Sequence, residues 1–82
     1  MWISAETSVG CLEGNSLREI IDNAYQLCYQ GEYNAGDIWL ESIEIELNCG
    51  KVKNVCDRVI NLIQNKLERK LDGLQEDINH HQ

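Results

Sequence analysis

Ile43-Glu44-Ile45-Glu46-Leu47 can be read in two ways, and the choice decides the fold. Strict alternation of apolar and acidic residues is the period of a half-buried strand. Trp39, Ile43 and Leu47 also recur every four residues with Leu40 beside them, which draws one line along a helix. A strand needs a second strand to satisfy its backbone N–H and C=O groups. No other clear strand pattern stands out, so the reading taken is a helix over 35–48. Asn34 can cap it, Asp37 places an acid in the first turn where the helix dipole favours one, and Asn48-Cys49-Gly50 supplies the stop.

The segment before it predicts another helix, over 16–30. Ser16-Leu17-Arg18-Glu19 fits a capping box, with the Ser16 hydroxyl on the Glu19 amide and the Glu19 carboxylate reaching back. Leu17, Ile20, Ile21, Ala24, Leu27 and Cys28 fall on one stripe, and Gly31 is placed to end the helix. Residues 1–15 show no sustained period and read as an irregular N-terminal arm, with Trp2 and Ile3 tacking it to the body.

Beyond Gly50 the periodicity is strongest. Val52, Cys56, Val59, Ile63, Leu67, Leu71, Leu74 and Ile78 recur at steps of three and four, predicting a helix over 51–78. Such a helix would be ~42 Å long against ~22 Å for the first. Two short helices would cover only its front half, leaving Leu67, Leu71, Leu74 and Ile78 as an exposed seam of the coiled-coil kind. The expected fold is therefore all-α: an antiparallel helical hairpin packed on a long amphipathic C-terminal helix, in one domain over 16–82. The seam is the expected protein interface and the reason to expect a homodimer. Tyr25, Tyr29 and Tyr33 recur every four residues and form a second possible partner surface.

Composition narrows the function. The 82-residue chain suffices for one domain with a small core, a size at which association often adds stability. The net charge is −7. Residues 1–50 hold nine acids against one base, Arg18, whereas residues 51–82 hold six bases against five acids. An acidic chain repels phosphate backbones, so direct nucleic-acid binding is not expected and a basic protein surface is the natural complement. The start, Met1-Trp2-Ile3-Ser4-Ala5-Glu6, has neither a basic region nor an apolar run, and no stretch approaches a membrane span; a cytoplasmic location and no membrane partner are expected.

Little in the sequence points to chemistry. Cys11, Cys28, Cys49 and Cys56 form no C-x-x-C pair, so no metal site is expected; two disulfides are open to a secreted protein, and without a signal segment reduced thiols acting as small apolar residues are favoured. His80 and His81 stand at the extreme C-terminus, a poor place to hold a catalytic base. Glu41, Glu44 and Glu46 have no nucleophile, phosphate loop or ligand cluster beside them and read as the wet face of a helix. Neither a catalytic residue nor a cofactor is expected.

Ile20, Ala24, Leu27, Gly31, Tyr33, Gly36, Leu40 and Ile43 together resemble one tetratricopeptide-type helical hairpin, with a small residue at the helix contact and a Gly-x-Tyr turn. Gly36 stands where that family usually has alanine, no proline closes the unit, and the segment from Lys51 does not repeat the pattern. Over 16–68 the order of elements is also similar to the small enterobacterial YmgB/AriR regulators. That resemblance implies an acidic, all-helical connector protein that dimerises. Both likenesses imply protein binding without an active site. The expected function is thus a small non-enzymatic regulatory or adaptor protein, with a secretion chaperone or co-chaperone, or an acidic DNA-mimic inhibitor, as the alternatives.

Overall fold

The structure, a computed structural model, describes residues 1–80, with side-chain surroundings for residues 1–74. It overturns the all-α expectation. Four strands, β1 (Trp2–Thr7), β2 (Gly10–Gly14), β3 (Leu40–Glu46) and β4 (Val52–Asn54), form one antiparallel sheet in the order β2-β1-β3-β4. Two helices, α1 (Leu17–Tyr29) and α2 (Asp57–His80), lie on one face of it, making an α+β two-layer domain.

The missing partner strand was in the segment read as an arm. Trp2-Ile3-Ser4-Ala5-Glu6-Thr7 alternates as clearly as residues 43–47: Ile3, Ala5 and Thr7 are buried while Trp2 and Glu6 are exposed. Its apolar residues are small or single, so the pattern is quiet. β1 pairs with β3 through Ile3–Ile45, Ser4–Glu44 and Ala5–Ile43, which supplies the backbone bonds that a lone strand would lack. Ser8-Val9 turns β1 into β2, and Thr7 pins that turn: its hydroxyl donates to Gly10 O (2.6 Å) and accepts from Val9 N (3.1 Å).

The predicted helix over 35–48 is replaced by a single 3₁₀ turn (Ala35–Asp37) followed by β3. Asp37 closes that turn on itself, its carboxylate accepting from Asn34 N (3.2 Å) and its amide donating to Asn34 O (2.9 Å). The chain then goes extended at Ile38. The β-branched residues Ile43 and Ile45 suit a pleated surface better than a helix, and once β1 is present the alternating pattern wins.

α1 forms within the predicted 16–30, capped by Ser16 as expected, but the Glu19 carboxylate reaches the amide of Asn15, one residue before the cap. Glu19 N donates to Ser16 Oγ (3.2 Å) and Asn15 N donates to Glu19 Oε2 (2.6 Å). At the far end Gly31 takes a positive φ of 81°, with Gly31 N donating to Cys28 O and Glu32 N to Leu27 O, the Schellman pattern. Gly50 (φ 86°) serves the β3–β4 turn similarly, its amide donating to Leu47 O (2.9 Å).

The long helix starts at Asp57, not at residue 51, because residues 52–54 pair with β3. That late start draws the leucine stripe back over the body. Leu67, Leu71 and Leu74 are buried with Ala24, Cys28 and Ile38 in one cluster, while Ile20, Ile60 and Ile63 cover Ile3, Ala5 and Ile43 in another. Pairing of Ile20 with Ile60 and Ile63, then of Ala24 and Cys28 with Leu67 to Leu74, shows that α1 and α2 run side by side in the same direction. An antiparallel hairpin and an exposed coiled-coil seam are therefore both absent among the described residues. Gln64 fastens α2 to the sheet, accepting from Leu40 N (2.7 Å) and donating to Ile38 O (3.3 Å).

Candidate functional site

The helices cover one face of the sheet, and the described residues leave the other face open. Paired residues of antiparallel strands point to the same side, so the register defines that open face row by row. One row runs Glu13, Ser4, Glu44, Asn54; the next Cys11, Glu6, Ser42; the third Trp2, Glu46, Val52. Four carboxylates, two apolar residues (Trp2 and Val52), Cys11 and small polar residues make up this surface, with no base among them.

Across the strands the carboxylates alternate with other residues, while along β3 Glu44 and Glu46 follow one another on the same face. Ser4 separates Glu13 from Glu44, Glu6 sits between Cys11 and Ser42, and Glu46 lies between Trp2 and Val52. No two carboxylates are directly opposed on neighbouring strands, where like charges destabilise a sheet. Diagonal neighbours such as Glu6 and Glu44, about 7–8 Å apart, still add their fields. Glu41, expected to share a surface with Glu44 and Glu46, occupies the bulge where the β1–β3 register shifts. Cys11 registers the local field. Slight desolvation and then the carboxylates of Glu6 and Glu13 hold its thiol above the ordinary value. Trp2 keeps 40% of its surface exposed at the rim of this face.

The residues expected to bind a partner are distributed differently. Leu67, Leu71 and Leu74 are core residues, and the side chain of Ile78 lies outside the described residues. Tyr25 and Tyr29 stack with ring centroids 6.3 Å apart, Tyr25 half-buried with the Lys70 ammonium 5.2 Å above its ring. Tyr33 is separated from them by the Gly31 turn and faces a recess with Cys28, Leu71 and Leu74. Sequence reasoning missed Trp2, Glu6 and Glu13 as partners of Glu44 and Glu46. The signal that could have found them is the alternation of residues 2–7.

Cys11, Cys28, Cys49 and Cys56 are all free thiols. Burial pushes the Cys28 thiol up, with Asp37 adding to the shift, whereas the other three are exposed. Among the described residues no three His, Cys, Asp or Glu side chains gather as a metal site would require. No described helix is long and apolar enough to cross a membrane. No family model matches the chain, and neither a curated protein nor a solved structure matches it.

Proposed function

We propose that this chain is a small non-enzymatic adaptor or regulator that binds a basic surface of another protein through the open face of its sheet, in the cytoplasm. The observation that carries this reading is the single sign of charge across that face, framed by the exposed Trp2. Antiparallel sheets commonly leave one face to water, but a solvated face needs no uniform sign. Trp2 adds an aromatic anchor of the kind that concentrates binding energy.

Size sets the character of the contact. Three strand intervals of ~4.8 Å and four residue steps of ~3.3 Å give a face of roughly 14 by 13 Å. That is well below the ~800 Å² per partner of a standard stable interface, so the association is transient and salt-sensitive. The homodimer expected from the leucine stripe is not carried forward, because those leucines lie in this chain's own core.

The test uses a lysine-rich peptide as a surrogate for the basic partner, followed by Trp2 fluorescence in a Trp39→Phe background and by amide chemical-shift mapping. Shifts on β1 and β3 that weaken in E6Q/E13Q/E44Q/E46Q support the reading. Equal binding by that variant, or shifts confined to the helices, would refute it. A second reading, the DNA mimic, is favoured by the sharing of one sheet face by the same four carboxylates. It predicts that duplex DNA displaces the partner, where the adaptor reading predicts that it does not.

A further inference from the structure

On the opposite side of the molecule, α1 and α2 leave a groove between them. Two adjoining recesses of about 220 and 330 Å³ share Leu17, Ile63 and Lys66. The floor is apolar: Leu17 and Ile21 from α1, Val59, Leu62 and Ile63 from α2. Val59 and Leu62 remain 40% and 57% exposed, large aliphatic side chains for which this fold provides no described cover.

The rim is basic. Arg18, Lys66, Arg69 and Lys70 line it, four of the seven Lys and Arg residues in a chain of net charge −7. The one acid in the lining, Asp22, is already paired with Lys70 at 2.6 Å. α2 sorts its charges to achieve this, with Lys66, Arg69 and Lys70 toward α1 while Glu68 and Asp72 line a recess on the other side with Ala35 and Trp39.

We infer that this groove docks an amphipathic helix of a partner protein whose apolar stripe is flanked by Asp and Glu. Charge complementarity to Arg18, Lys66 and Arg69, the three cations other than the Asp22-paired Lys70, selects the acidic flanks. Two helices running side by side offer a third helix a seat for an apolar ridge, the helix-in-groove mode of recognition. The stretch from Val59 to Lys70 is ~16 Å long, about three turns, which fits anchors at i, i+4 and i+7. A second copy of this chain is a poor occupant. Its acidic sheet face offers only Trp2 and Val52 as apolar groups. The inference stands apart from the sheet-face reading, since the two surfaces share no residue.

The experiment is fluorescence anisotropy of the full chain with a labelled peptide of about three to four turns, leucines at i, i+4, i+7 and i+11 and glutamates on both flanks. Two control peptides are needed: a scramble of identical composition, and a version with lysine for every glutamate. The acidic helix should bind, both controls should bind at least about tenfold more weakly, and Leu62→Glu and Lys66→Glu/Arg69→Glu should each weaken it by about tenfold. Leu62 is exposed, so L62E is expected to keep native helicity by circular dichroism, and E6Q/E13Q/E44Q/E46Q should bind the peptide at least as well as the wild type. Equal binding of the scramble overturns the inference, as does equal binding of the lysine version. Light scattering that shows a dimer abolished by L62E would assign the groove to a second copy. Displacement of the peptide by anionic phosphatidylserine vesicles but not by neutral ones would assign it to a lipid surface. Either result also overturns the proposal.

Discussion

Leu67→Ala tests whether the leucine stripe belongs to the chain's own core. Leu67 is 1% exposed in the cluster formed with Ala24, Cys28 and Leu71. The substitution removes three carbon atoms, ~2.4 kcal/mol of transfer free energy at ~0.8 kcal/mol per methylene. Incomplete collapse of the site raises the loss to ~3 kcal/mol. An 82-residue domain at typical per-residue stability has only ~4–12 kcal/mol in all. With an unfolding entropy of ~170 cal/mol/K for this length, the midpoint should fall by ~15–20 °C. Leu62→Ala, at a position 57% exposed, should cost no more than ~0.5 kcal/mol. Thermal and urea unfolding followed by far-ultraviolet circular dichroism, at two protein concentrations, read both variants. A cost below ~1 kcal/mol for L67A would refute the core assignment. So would a wild-type midpoint that rises with protein concentration while that of L67A does not, since that places Leu67 between molecules.

Three further outcomes follow from particular contacts. Gly14→Ala would set a Cβ 2.8 Å from both Cβ and Oε2 of Glu19, displacing the carboxylate that accepts from Asn15 N; a loss of ~1–2 kcal/mol is expected by chemical denaturation, and an unchanged midpoint would contradict the cap geometry. Glu6→Gln/Glu13→Gln should speed thiol labelling of Cys11 at mildly alkaline pH, because two of the groups that hold its thiol up are neutralised; mass spectrometry of the Cys11 peptide reads the rate, and no acceleration would count against the field of the sheet face. The Lys70 ammonium holds the Asp22 carboxyl below its ordinary value, so its contribution to stability is present above the unfolded-state value and is lost as pH falls through the folded one; an Asp22 titration by carboxyl-carbon NMR that does not move upward in Lys70→Met would show that the pair does not form in solution.

How much of this was legible in the sequence depends on how local each signal is. The α1 cap and its Gly31 stop are written within a few residues of where they act, at Ser16–Glu19 and Leu27–Glu32, and they could be read directly. The sheet could not, because a strand is defined by a partner forty residues away. Ile43 and Ile45 gain their meaning only from Ala5 and Ile3. With β1 unrecognised, the cost of unpaired backbone argued correctly from a false premise and chose a helix. The same error carried forward. Assigning 51–56 to the long helix pushed Leu67 to Leu74 beyond the body by six residues, ~9 Å of helix, and turned core positions into a seam. The site was hidden for the same reason: Glu6, Glu13, Glu44 and Glu46 share a face only once the register of three strands is known.

The charge imbalance between the two halves of the chain was visible at once, and the fold gives it a spatial meaning. All four carboxylates of the open sheet face come from the first fifty residues, and three of the four groove cations come from the remainder. Arg18, the one base of the acidic half, is on α1, and it too lines the groove. The sorting belongs to these two surfaces and not to whole layers, since Glu19, Asp57, Glu68 and Asp72 also stand on the helices; a random scatter of surface charge would serve solubility equally well, so the two single-signed surfaces call for another cause. Under the two proposals made above, surfaces of opposite sign that share no residue would let one small chain hold a basic partner and an acidic one together. Ile3 and Ala5 of the sheet share one core cluster with Ile20, Ile60 and Ile63 of the helices. Neutralising the sheet face should therefore leave the affinity of the groove for an acidic helix intact or raise it, by lowering the negative potential that such a helix must approach. A fall in that affinity would mean that the faces are coupled through this core and that the chain is a switch, not a passive link.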